Sequence, residues 1–171
     1  DFSLSVVARI PSANLPVTGG LVGISPNSAT AGALNAFSVA IGTSGQLLVR
    51  LCAADLSNYR YLSLASFVAN YGGNIQRITV TRLSGTIAVY INKVDVTASL
   101  SESTTGTAPA SVAETVAGQY IGVGYGLSTE LYNEAIVAVD VFNYGLTSAW
   151  VSELFDIGLT AANRWAANYS S

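Results

Sequence analysis

The sequence contains no histidine and no methionine, a single cysteine, and only seven Lys and Arg in 171 residues. Without imidazole nothing can activate a serine or cysteine by the usual route, so Ser-His-Asp triads, Cys-His dyads and imidazole metal sites are excluded. Cys52 alone forms neither an intramolecular disulfide nor a thiolate cluster, and within the apolar run 47–54 it reads as a small buried hydrophobe. The basic residues are scattered singly and the net charge is -3, which leaves no electrostatic footprint for a phosphate backbone, and no nucleic-acid partner is expected. No uninterrupted apolar run approaches the roughly 20 residues of a membrane helix, so no membrane insertion is expected. Lacking Met, yet starting on a core-like strand at Phe2, the sequence is expected to be a processed product or part of something longer, with flanking domains.

Half of the residues are hydrophobic and only 10% are charged, a balance that suits short strands and small-residue turns better than amphipathic helices. The clearest element is RITVTRLSGTIAVYINKVD, Arg77 to Asp95. Ile78 and Val80 alternate with Thr79 and Thr81, Ser84-Gly85 turns the chain, and Ile87, Val89 and Ile91 alternate with Ala88, Tyr90 and Asn92. Two period-2 runs around a Gly turn predict a β-hairpin with one core face and one face of Thr, Tyr and Asn toward solvent or ligand. Further strands are predicted over Phe2–Ile10, Gly19–Ser25, Phe37–Ile41, Gln46–Ala53, Asn58–Leu64 and Gln119–Tyr125. Leu131–Asn143, the most apolar, is expected to be central and covered on both faces. Pro26–Leu34 and the aperiodic tract Thr97–Gly118 read as loops. Thr147 or Ser148 offers an N-cap for one helix, Ala149–Ile157, with Trp150, Val151, Leu154 and Phe155 on its apolar face. Trp150 and Trp165 are expected to dock the helix and the tail. The expected architecture is an all-β, two-sheet antiparallel β-sandwich of jelly-roll type with one short C-terminal helix, residues 1–171 forming a single domain.

The order DFSLSVVARI, ITVTRLSGTIAVYIN, QYIGVGY and AIVAVDVFNYGLTSAWVSELFDIG resembles the laminin-G-like branch of the concanavalin A-like lectin/glucanase superfamily over nearly the whole chain. The chain departs from that pattern where Asn74 to Arg77 stand in place of a Trp or His, Lys93 in place of a Gly, and Val137 and Ala138 in place of an acidic pair. Richness in Ala, Gly, Ser and Thr without disulfides is similar to stand-alone copies of this fold in phage fibres and other virion appendages, which implies an extracellular, virion-surface setting.

Glycosidases of that superfamily carry a Glu-x-Asp-x-Glu strand, which is absent here. Glu130 and Glu134, the nearest acidic pair, would stand about 13 Å apart on a strand, beyond the roughly 5–9.5 Å that paired carboxylates need. No enzymatic activity is expected. A calcium ion, as laminin-G-like domains sometimes hold, has Asp55, Asp95 and Asp140 as candidate ligands, against the alternative that these acids are solvated or cap turns. No cofactor is otherwise expected. Sugars need flat aromatic faces with amide and hydroxyl groups around them, and Tyr59, Tyr61, Tyr90 and Asn92 alternate away from the core positions, forming the candidate carbohydrate-binding surface. The same residues would serve equally for cross-strand packing or a subunit interface. Three functions stay open: carbohydrate recognition or attachment, a structural decoration or fibre subunit acting through protein contacts, and glycan cleavage. The corresponding partners are a surface glycan or a neighbouring surface protein, within a larger assembly or homo-oligomer.

Overall fold

A computed structural model describes residues 1–24, 36–52, 59–106, 119–122 and 132–157. Eleven strands are found among them: β1 Phe2–Arg9, β2 Gly19–Ile24, β3 Ala36–Ile41, β4 Leu47–Cys52, β5 Tyr59–Leu64, β6 Ile75–Leu83, β7 Thr86–Ile91, β8 Val94–Asp95, β9 Ser101–Thr105, β10 Gln119–Ile121 and β11 Ile136–Phe142. Strand pairing gives a five-stranded sheet in the order β11-β1-β6-β7-β8 and a six-stranded sheet in the order β10-β2-β3-β4-β5-β9. Two antiparallel sheets with little helix make the fold the expected β-sandwich. The C-terminal helix, α2, covers residues 148–157, and Thr147 caps it, its hydroxyl accepting from Trp150 N at 3.4 Å and its carbonyl from Val151 N at 3.0 Å. A five-residue helix not anticipated from the sequence, α1 Phe67–Tyr71, follows β5 and buries Phe67 and Val68. Contacts divide the chain into two compact units, one of residues 1–5, 77–98 and 140–171 and one of residues 6–76 and 99–139.

In the first unit the β6–β7 hairpin forms as predicted. Ser84 and Gly85 both take positive φ, 50° and 81°, which is what a two-residue turn matching the strand twist requires. Ile78, Val80, Val89 and Ile91 are buried. The polar face is buried too, contrary to expectation: Thr79 is 0% exposed and Thr81 3%. Hydrogen bonds make this possible, since a buried hydroxyl without a partner is costly. Thr79 Oγ1 donates to Ser5 Oγ at 3.2 Å and Thr81 Oγ1 to the Leu146 carbonyl at 3.0 Å. Ser3 Oγ lies 2.9 Å from Thr81 Oγ1 and accepts from Leu146 N at 2.7 Å. The Arg77 guanidinium, buried beside them, donates to Ser5 Oγ and to Asp140, both at 2.9 Å. Above this layer Tyr90, Leu146 and Val151 form a small core with Ala88, Phe142 and Leu154.

β11 is an edge strand rather than a central one, and Val137 and Val141 are half-exposed. Apolarity alone could not distinguish an edge carrying valines from a covered strand. The Thr97–Gly118 tract contains a strand, β9, that extends the six-stranded sheet beside β5. All five of its residues are exposed, so no apolar face announced it, and its backbone ladder with β5 holds it.

In the second unit, Phe37, Val39 and Ile41 of β3 and Leu47, Val49 and Leu51 of β4 are buried on one face of the six-stranded sheet. Gly42–Gln46 closes this hairpin with Gly45 N donating to Gly42 O and Gly42 N to Gln46 O, both at 2.9 Å. Gly72, at the end of α1, lies where a Cβ would meet the carbonyl oxygens of Val68 and Pro11 at 2.5 and 2.7 Å. Gly73 has open space around it but a φ of 77°. Gly72→Ala is therefore expected to cost about 2–3 kcal/mol through backbone displacement, and Gly73→Ala only about 1–2 kcal/mol of left-handed strain. Urea unfolding midpoints of the two variants check that order.

Candidate functional site

Alternation along β3, β4 and β5 sends every second side chain away from the buried face just described. Register joins these positions into one row that crosses five of the strands: Gly23, Ser38, Arg50, Tyr61 and Ser103 are successive cross-strand partners. Tyr59 stands two residues from Tyr61 on β5 and its ring stacks on that of Tyr61, with centroids 4.5 Å apart and planes at 25°. The Arg50 guanidinium carbon lies 5.8 Å from the Tyr61 ring centroid, within cation–π range. Two aromatic rings, one cation and two serines thus share this sheet face, which is covered where it crosses β3, with Ser38 and Ala40 buried, and open on β5 and β9.

Ser38 is 2% exposed, and its Oγ has no hydrogen-bond partner. An orphaned buried hydroxyl costs about 1–3 kcal/mol, and this one returns nothing to the fold. Ser38→Ala is accordingly expected to leave stability unchanged or to raise it by about 1 kcal/mol. A fall of the urea midpoint in that variant would show that the hydroxyl supports the fold.

On the opposite face of β5, Arg60 forks onto Glu102 of β9, Nε to Oε1 at 2.7 Å and Nη2 to Oε2 at 2.9 Å. Those hydrogen bonds hold the Glu102 carboxyl below its ordinary pKa against the opposing cost of desolvation, and a hydrogen bond from Thr104 adds to the lowering. Stability from this pair is present above the usual carboxylate range and is lost as pH falls through the depressed pKa. Its role is to fasten the edge strand that carries Ser103.

The four residues singled out from the sequence divide. Tyr59 and Tyr61 are brought together as described. Tyr90 and Asn92 belong to the other unit, and the fold engages both. Tyr90 is 7% exposed within the core under α2, and burial, aided by Asp95, pushes its hydroxyl pKa up. Asn92, at φ 58°, ends β7; its Oδ1 accepts from Arg77 N at 3.0 Å and its own N donates to Arg77 O at 2.7 Å. Arg50 and Ser38 were not among the sequence candidates, although hairpin register places them opposite each other.

Of the candidate calcium ligands, Asp95 Oδ1 caps Thr97 N at 2.8 Å and Asp140 pairs with Arg77, while Asp55 lies outside the described residues. Among the described residues no group of three or more His, Cys, Asp or Glu could hold a metal ion. Glu130 also lies outside them, and Glu134 faces Arg9 at 3.9 Å. Beside that pair the Tyr132 hydroxyl donates to the Arg9 carbonyl, and burial together with Glu134 raises its pKa. Cys52 ends β4. Trp150 is 59% exposed and does not dock α2, which packs instead through Val151 and Leu154; Trp165 lies outside the described residues.

No protein-family model matches the sequence, and a search of curated proteins finds no match. Solved structures do match the fold. The CBM40 of Ruminococcus gnavus IT-sialidase, bound to α2,3-sialyllactose, is similar over 90% of this chain and 82% of its own, with a TM-score of 0.64 at 11% identity. Domain 4 of AbnA, a GH43 extracellular arabinanase from Geobacillus stearothermophilus, in complex with arabinotriose, gives a TM-score of 0.62 at 16% identity, covering 90% of this chain and 65% of that one. The botulinum neurotoxin type G receptor binding domain gives 0.59 at 15% identity over 92% of this chain, which spans only 38% of that domain. At such identities the likeness is one of fold.

Proposed function

We propose that this β-sandwich is a non-catalytic carbohydrate-recognition module that binds a surface glycan on the outward row of its six-stranded sheet. The observation that carries the reading is the Tyr59–Tyr61 stack beneath Arg50 on the face opposite the core. A sugar ring presents C–H faces that pack on aromatic planes and hydroxyls that need donors and acceptors at their edges. The stacked Tyr59 and Tyr61 rings offer the aromatic surface, the Arg50 guanidinium carries N–H donors, and the exposed Ser103 lies in the same row. The fold neighbours solved with sialyllactose and arabinotriose support the assignment, being sandwiches of the same architecture with oligosaccharides bound. Display on an outer surface, as on a virion appendage, is the setting we propose from the sequence.

A glycan array probed with the wild-type chain and with Tyr61→Ala tests the reading. Binding to a defined set of oligosaccharides, reduced at least about tenfold in the variant by loss of an aromatic platform, is the expected result. Absence of binding across a broad array would overturn it in favour of a purely structural subunit.

A further inference from the structure

The first unit holds a pocket of about 170 Å³, lined mainly by Phe142, Tyr144, Trp150, Glu153, Leu154 and Ile157. We infer that it is a binding site for a small quaternary ammonium group such as the trimethylammonium head of choline. The site is separate from the sheet row and does not depend on glycan binding. Three of its walls are aromatic: Phe142 and Tyr144 have centroids 5.6 Å apart and planes inclined at 55°, so two ring faces meet at an angle, and Trp150 is 59% exposed beside them. Aromatic faces carry partial negative charge and attract cations, most strongly ones that shed water easily.

Chemistry narrows the guest. Glu153 brings a carboxylate to the rim and has no ion pair among the described residues, whereas its helix neighbour Asp156 is paired with Lys93. An anion would be repelled, and a neutral apolar guest would cover that carboxylate without compensating it. An ammonium with N–H donors would find few acceptors besides Glu153 and the Tyr144 hydroxyl, leaving donors unsatisfied. A quaternary ammonium has charge and no N–H. Size agrees, since a cavity of about 150 Å³ holds benzene and tetramethylammonium is of similar bulk. The walls are also fixed in advance. Ser3 Oγ binds both the Tyr144 carbonyl, at 3.0 Å, and Leu146 N, and Gly145 lies where a Cβ would meet Arg82 O at 2.6 Å.

The test is a titration of the full chain with choline, followed by amide chemical shifts, with 3,3-dimethyl-1-butanol as the neutral isostere and ethanolamine as the N–H-bearing cation. Expected are saturable shifts confined to residues 142–157, an affinity for choline at least about fivefold above either control, and weakening by about tenfold in Trp150→Ala and about threefold in Glu153→Gln. Both variants alter exposed side chains, and circular dichroism verifies that they fold. Equal binding of the butanol isostere would reduce the site to an apolar pocket, and equal binding of ethanolamine would reduce it to simple charge attraction. Either result, unchanged affinity in both variants, or no saturation by about 100 mM choline, overturns the inference.

Discussion

Asp140→Ala is expected to destabilise the protein by about 3 kcal/mol, lowering Tm by roughly 6–12 °C for a chain of this size. The asymmetry of the ion pair sets this expectation. The Arg77 side chain is 7% exposed while that of Asp140 is 38% exposed. Removing the carboxylate strands an almost wholly buried guanidinium, with Ser5 Oγ as its remaining side-chain acceptor. Removing the arginine instead leaves a carboxylate that water can hydrate, so Arg77→Met is expected to cost less, about 1–2 kcal/mol. The double variant Arg77→Met/Asp140→Leu should be more stable than Asp140→Ala alone. Thermal unfolding of the three variants gives the order, and a larger loss in Arg77→Met than in Asp140→Ala would contradict this account of the pair.

Phe37→Ala should cost about 3–5 kcal/mol, the range for emptying a buried aromatic site. Phe37 is 1% exposed among Val39, Leu51 and their neighbours on the core face of β3. Its neighbour Ser38 points the other way, and the two substitutions form a matched pair. Phe37→Ala lowers the urea midpoint strongly, whereas Ser38→Ala leaves it unchanged or raised. This division between a face that holds the fold and a face that binds is the physical content of the proposed site.

Much of that division was legible in the sequence. Strict alternation fixed the β3, β4 and β5 faces, because a period of 2 assigns each side chain to one side of a sheet, and Tyr59 and Tyr61 were found that way. Tyr90 and Asn92 followed the same rule and led elsewhere, because alternation says which side chains share a face but not whether that face is covered. Here residues 140–157 bury it, and the Ser3, Ser5, Thr79 and Thr81 hydroxyls, individually compatible with solvent, satisfy one another inside. β9 was missed because an exposed edge strand has no apolar period, only a backbone ladder. Arg50 could have been placed opposite Ser38 from the Gly42–Gln46 turn, whereas no turn signal in the sequence sets the register of β4 against β5.

The most direct measurement of the central claim is an amide chemical-shift titration of the wild-type chain with oligosaccharides taken from the array. Perturbations should concentrate on Arg50, Tyr59, Tyr61 and Ser103, and should vanish in Tyr61→Ala while its urea midpoint stays near that of the wild type. Shifts centred on residues 142–157 instead, or a sugar response that survives Tyr61→Ala undiminished, would contradict the assignment of this sheet face as the glycan-binding surface.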